Sequence, residues 1–105
     1  MISWLKKLIG GNSPDLKKLY QEGAVIIDVR TPQEYKSGHI KGSINVPLQG
    51  LSKETGKLAK MNKPVITCCL SGGRSSAAKR ILSARGIEVY NGGGWQGLQS
   101  KLRQS

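Results

Sequence analysis

The sequence predicts an α/β fold, a central and mostly parallel sheet of four to five strands with helices on both faces. Three observations predict it. Two short apolar runs, Ala24-Val25-Ile26-Ile27 and Val65-Ile66-Thr67-Cys68, have strand length and no polar alternation, as strands covered on both faces require. Helix-like patterns with their own start and stop residues separate such runs, so strand and helix alternate along the chain. The chain has 105 residues, 37% of them hydrophobic, which is room for one core and enough apolar surface to fold without staples.

Residues 1–12 read as an extension and residues 13–105 as the domain. If the extension is helical, Ile2, Leu5, Leu8 and Ile9 share a face, with Trp4 beside them and Lys6 and Lys7 outside. The plain reading is a terminal turn folded onto the domain, and the sharper one a weak interfacial anchor. Two lysines split its apolar residues and no small-residue cleavage site follows, so it does not read as a signal peptide. No apolar run reaches bilayer length, which predicts no stable membrane insertion.

Ser13-Pro14-Asp15 offers an N-cap, a proline at the first helical position and an acid in the first turn. A helix over 14–21 follows, with Leu16, Leu19 and Tyr20 as its buried face and Gly23 as its stop. Residues 24–27 form a strand that ends at Asp28-Val29-Arg30. Thr31-Pro32-Gln33-Glu34 reads as a capping box that opens a short helix ended by Gly38. Residues 43–46 make a short strand stopped by Pro47, and residues 51–61 a helix with Leu51, Leu58 and Met61 apolar, weakened by Gly56. Residues 65–68 are the next buried strand. Residues 74–84 form the clearest helix, with Ala77, Ala78, Ile81 and Leu82 inward and Gly86 terminating it. Ile87-Glu88-Val89-Tyr90 is the last strand, and Asn91-Gly92-Gly93-Gly94 leads into a closing helix over 95–102.

The chemistry gathers after the second apolar run, in Cys69-Leu70-Ser71-Gly72-Gly73-Arg74-Ser75. A thiol reacts as its thiolate, which a helix N-terminus and a fixed cation favour. Here the helix's first amides and Arg74 lie within reach, and Gly72 and Gly73 let amides approach a bound atom. The expected product is an anion cradle with Cys69 at its floor, at the carboxyl end of a strand, where open α/β sheets bind ligands.

This loop is similar to the CxxGxR active-site loop of the rhodanese-like sulfurtransferases. Two further stretches resemble the same family in the same order. Asp28-Val29-Arg30, Glu34-Tyr35, Gly38-His39-Ile40 and Asn45-Val46-Pro47 match its upstream signature, with Ser43 in place of the usual alanine, and Gly92-Gly93-Gly94-Trp95 its C-terminal turn. The resemblance implies a rhodanese-like fold and a Cys69 that takes a sulfur atom as a persulfide and passes it to an acceptor. It implies Leu70, Ser71, Gly72, Gly73, Arg74 and Ser75 as the substrate-binding loop, a small anionic sulfur donor such as thiosulfate, and a thiol or protein acceptor, a thioredoxin-like one included. It requires no metal and no organic cofactor. Where the family often carries a second tryptophan, this chain has Leu98.

The residues also carry plainer readings. Cys68 lies five residues before Arg74, the spacing of the CxxxxxR loop of cysteine phosphatases and arsenate reductases; as a strand neighbour of Cys69 it would instead face the other way. Asp28 and Arg30 read as structural support tying loops together. Glu34 is spent in the capping box, and His39, the only histidine, has no partner at ligand spacing. The Ser71 and Ser75 hydroxyls would bind an oxyanion leaving group or cap the helix, and Trp95 would pack in the core or wall the pocket.

The formal charge of +11, from 17 Lys and Arg against 6 Asp and Glu, attracts small anions and acidic partners. The basic residues are spread along the chain, Phe is absent, and three Tyr and two Trp offer few stacking platforms, which argues against nucleic acid. A non-catalytic module binding an acidic partner is the remaining class. Two adjacent cysteines cannot close a disulfide framework, so the composition fits a reducing, cytoplasmic setting.

Overall fold

The computed structural model describes residues 15–103. Its elements run α1 (Leu16–Gln21), β1 (Val25–Asp28), α2 (Pro32–Lys36), β2 (Ile44–Asn45), a 3-10 turn (Leu48–Gly50), α3 (Leu51–Lys60), β3 (Val65–Cys69), α4 (Gly73–Ser83), β4 (Val89–Gly94) and α5 (Trp95–Arg103). The four strands form one all-parallel sheet in the order β2-β1-β3-β4. Strand order reverses between β1 and β3, so the crevice beyond their carboxyl ends is the natural ligand site. The proposed extension over residues 1–12, its boundary at 13, Ser13 and Pro14 all lie outside the described residues.

Period-two alternation on β1 and β3 divides the core between the two faces of the sheet. Ile27, Val65 and Cys69 point to one face, where Leu51 and Leu58 of α3 and Ala78 and Leu82 of α4 cover them. Ile26, Ile66 and Cys68 point to the other, under Leu16 of α1 and Leu98 of α5. Burying an aliphatic side chain of this size contributes roughly 1.5–3 kcal/mol, and Ile26, Ile27, Leu51, Ile66, Leu82 and Leu98 are all sealed from water.

Most elements fall where local signals put them. The Thr31 capping box is complete, with the Glu34 amide donating to Thr31 Oγ1 and the Thr31 amide to Glu34 Oε1. Four expectations fail. The N-cap of α1 is Asp15, whose carboxylate accepts the Lys18 amide, so the helix starts at Leu16. Tyr20 is exposed, because the short α1 presents only Leu16 fully to the sheet. Met61 caps α3 rather than belonging to its buried face. Residues 91–94 are strand, not a connecting loop: β4 continues through the glycines because β3 offers them a pairing edge.

That extension contains a bulge. Thr67 and Cys69 on β3 oppose Asn91 and Gly94 on β4, so β4 carries one extra residue there.

Candidate active site

Cys69 is the last residue of β3, and α4 begins four residues later at Gly73. The chain turns in that space because Gly72 takes φ 108°, a conformation that costs side-chain-bearing residues about 1–3 kcal/mol. The turn aims the Gly72 amide at Cys69 Sγ, 2.9 Å away. The Ser75 hydroxyl oxygen sits 3.4 Å from the same sulfur. Burial disfavours a thiolate here, but the Ser75 hydroxyl and the Ser75, Gly72 and Ser71 amides outweigh it and hold the thiol below the ordinary cysteine value. The amides belong to the first turn of α4 and the loop before it, where the helix dipole also favours negative charge.

Ser75 is fully buried and is the hub of the floor. Its Oγ lies 3.0 Å from the Gly72 carbonyl and 2.6 Å from Asn91 Oδ1, and its own carbonyl accepts a hydrogen bond from Thr67 Oγ1. Leu70 and Ser71 are exposed at the mouth. The Leu70 carbonyl lies where Gly94 has no side chain: a Cβ there would come within 2.7 Å of that oxygen. Gly94 therefore sets how closely the loop sits against β4.

Arg74 does not stand free over the sulfur as a lone cation. Its guanidinium forms a two-point pair with Glu34, Nη1 to Oε1 at 2.8 Å and Nη2 to Oε2 at 3.0 Å. Glu34 thus serves two masters, the Thr31 cap and Arg74, and these partners, Arg74 foremost, lower its carboxyl to about 2. The fixed charge of Arg74 still favours a Cys69 thiolate.

Asp28 and Arg30 tie the loops from beneath. Arg30 Nε and Nη2 donate to the Asp28 carboxylate at 2.8–3.1 Å, and the remaining guanidinium donors reach the Glu34 and Gly38 carbonyls. Trp95 packs against the core and carries the Arg30 guanidinium 4.9 Å above its ring centre, a cation–π contact. His39 is exposed, stacks on Tyr35 and places Nδ1 2.7 Å from the Tyr35 carbonyl, far from any ligand set. Among the described residues no cluster of His, Cys, Asp and Glu is arranged to hold a metal.

Cys68 occupies a different environment. It lies on the opposite face from Cys69, paired in register with Asp28, and burial first, then the Asp28 carboxylate, push its thiol up to about 12. A sulfur so placed cannot floor a CxxxxxR cradle.

Two participants escaped the reading of the sequence. The Glu34–Arg74 pair joins residues forty positions apart, and no local spacing announces it. The sequence places Asn91 at the start of a connection, yet it sits on a strand with its carboxamide against Ser75, Ser76 and Gly93.

Comparison with known proteins bears on the family and the fold. The family described as Rhodanese-like domain matches residues 3–101. The chain is 37% identical over 82 residues to the uncharacterized protein YqhL of Bacillus subtilis, covering 76% of this chain and 64% of that protein. It is 39% identical over 70 residues to the thiosulfate sulfurtransferase PspE of Escherichia coli, covering 65% of this chain and 67% of that protein. The chain therefore spans about two thirds of the length of these relatives. Among solved structures, a rhodanese with anions from Escherichia coli superposes with a TM-score of 0.66 at 35% identity, covering 71% of this chain and 91% of that one.

Proposed function

The chain belongs to the rhodanese-like domain family, and on that premise we propose that it is a sulfurtransferase working through a persulfide on Cys69. The donor is thiosulfate or another persulfide, and the acceptor is cyanide, a thiol or a protein thiol. The observation that carries this reading is the convergence of the Gly72 amide and the Ser75 hydroxyl on a buried Cys69 sulfur at the carboxyl end of β3.

In the first step the Cys69 thiolate attacks the outer sulfur of thiosulfate. The bond between that sulfur and the sulfonate sulfur breaks, its electron pair leaves with sulfite, and a new S–S bond to Sγ forms. The negative charge moves to the outer sulfur, above the loop amides and near Arg74, where fixed dipoles stabilise it without reorganising. In the second step cyanide or a thiolate attacks the outer sulfur and the electron pair of the S–S bond returns to Cys69. Donor, Cys69 and acceptor account for every atom and charge. Exposed Leu70 and Ser71 flank the approach and bear on which donor enters, with Gly73 opening the helix beside them.

The kinship with PspE supports a thiosulfate-type donor. A thioredoxin-like protein thiol and a reducing cytoplasm are the acceptor and compartment this chemistry fits. No helix among the described residues is long and apolar enough to cross a membrane. The phosphatase or arsenate-reductase reading gains no support, because it needs Cys68 in the cradle and Cys68 faces the other core.

Incubating the reduced protein with thiosulfate, removing excess donor and mapping peptides by mass spectrometry tests the proposal. One added sulfur on Cys69, released by cyanide or a thiol, is expected. Transfer at the normal rate by Cys69→Ser would overturn it, and association with an acidic partner by a protein with inert thiols would favour the non-catalytic module.

A further inference from the structure

The Ser75 hydroxyl has one proton and three neighbours that can take it: the Gly72 carbonyl at 3.0 Å, Asn91 Oδ1 at 2.6 Å and, once ionised, Cys69 Sγ at 3.4 Å. The Gly72 carbonyl already receives the Ser76 amide of α4. Asn91 is held in one orientation from outside the pair. The Gly93 amide lies 2.9 Å from Oδ1, and a donor there demands the oxygen rather than the NH2 group, which instead donates to Ser76 Oγ at 2.9 Å. The carboxamide therefore offers Ser75 an acceptor and cannot turn to offer a donor.

Two protonation states of Cys69 then impose different directions on the same hydroxyl. As a thiol, Cys69 donates to Ser75 Oγ and Ser75 donates onward to Asn91 Oδ1. As a thiolate, Cys69 has no proton to give, and two lone-pair-bearing atoms would face each other unless the hydroxyl turns to the sulfur. That turn breaks the bond to Asn91.

We propose that Asn91 is a positioning residue for the nucleophile, competing with the Cys69 sulfur for the Ser75 proton and so setting how readily the thiol ionises. Attack of the thiolate on thiosulfate neutralises Sγ and carries the charge to the outer sulfur, at which point the Ser75 hydroxyl turns its hydrogen bond back to Asn91 Oδ1. The carboxamide thus resists the thiolate and accepts the hydroxyl back in the persulfide. The other charged and titratable groups near Cys69 are Arg74 of α4 with its partner Glu34 of α2, Asp28 with Arg30 from β1 and its end, and the adjacent Cys68. None of these contacts Asn91 by a hydrogen bond or ion pair, so a change there acts on the sulfur through Ser75.

The inference rests on Cys69 as the nucleophile, but its readout is thiol ionisation and needs no sulfur transfer. In a Cys68→Ser background, the rate of iodoacetamide alkylation of Cys69 is followed against pH. Asn91→Ala removes the competing acceptor and is expected to move the profile to lower pH, with alkylation roughly three- to tenfold faster below the midpoint. Asn91→Asp keeps an acceptor for the Gly93 amide, holds the Ser75 proton more firmly and adds a negative charge, so its profile moves to higher pH. Ser75→Ala also moves to higher pH, and adding Asn91→Ala to it produces no further shift. Both Asn91 variants moving in the same direction, an unmoved profile in Asn91→Ala, or a shift that survives in the Ser75→Ala background each overturn the proposal. Absence of sulfur loading with these shifts intact would fault the sulfurtransferase reading alone.

Discussion

Cys68 and Cys69 are consecutive residues of β3, both at most 1% exposed, and their thiols are pushed in opposite directions. Burial raises both; what differs is the company. Cys68 meets core aliphatics and a carboxylate, whereas Cys69 meets the amides and hydroxyl of a helix N-terminus. Each side of the strand also carries an arginine–carboxylate pair. Asp28–Arg30 is sealed, its side chains 0% and 4% exposed, while Glu34–Arg74 stands at 31% and 37%. The same residue types build scaffold on one face and surround a thiol that favours ionisation on the other, and directed hydrogen-bond donors, not depth, decide which.

The largest test of that contrast exchanges the arginines. Arg30→Met leaves the Asp28 carboxylate buried without its partner and should cost about 3–5 kcal/mol in denaturant unfolding, a large share of a small domain's stability. Arg74→Met removes a partly exposed pair and should cost under about 1 kcal/mol, while slowing sulfur loading. Equal losses of stability would erase the distinction. Next in size is Gly94→Ala, whose methyl meets the Leu70 carbonyl and displaces the loop over Cys69. Displacements on the order of 1 Å can cost a hundredfold in rate, so loading should fall at least about tenfold with β3 and the opposite core unchanged. Retained loading would mean that β4 does not position the cradle.

Alkylation against pH sharpens the comparison further. Cys69 should react with a midpoint below the ordinary cysteine value, and Cys68 should stay unmodified in the folded protein until its thiol ionises at about 12. The smallest effect lies at the exposed pair. Glu34 is lowered from 4.5 to about 2, so the stability it lends is full above pH 4.5 and is lost as pH falls through 2. The side-chain nitrogen shifts of Arg74 should titrate near 2; titration near 4.5 would show the pair to be absent in solution.

Local signals in the chain carried the alternation of strands and helices, the Thr31 capping box and the opposite facing of Cys68 and Cys69, since each depends on neighbours within a few residues. They failed where a distant partner intervened. Asn91 to Gly94 have poor strand propensity, and only the free edge of β3 makes them a strand. Arg74 was legible as a cation but not as one half of a pair, because its partner arrives from a helix forty residues earlier. Asn91 gave no chemical signal by itself, for its proposed role lies in where pairing with Thr67 on β3 places it.

The contact between Gly94 and the Leu70 carbonyl also orders events in time. The loop after Cys69 can assume most of its own turn as soon as α4 forms, but its mouth closes only when the last strand reaches the sheet edge. A chain still being synthesised carries Cys69 without that closure. If Cys69 takes up sulfur as proposed, its competence to do so would arrive with the docking of β4, and persulfide formation would serve as a chemical clock for the completion of folding.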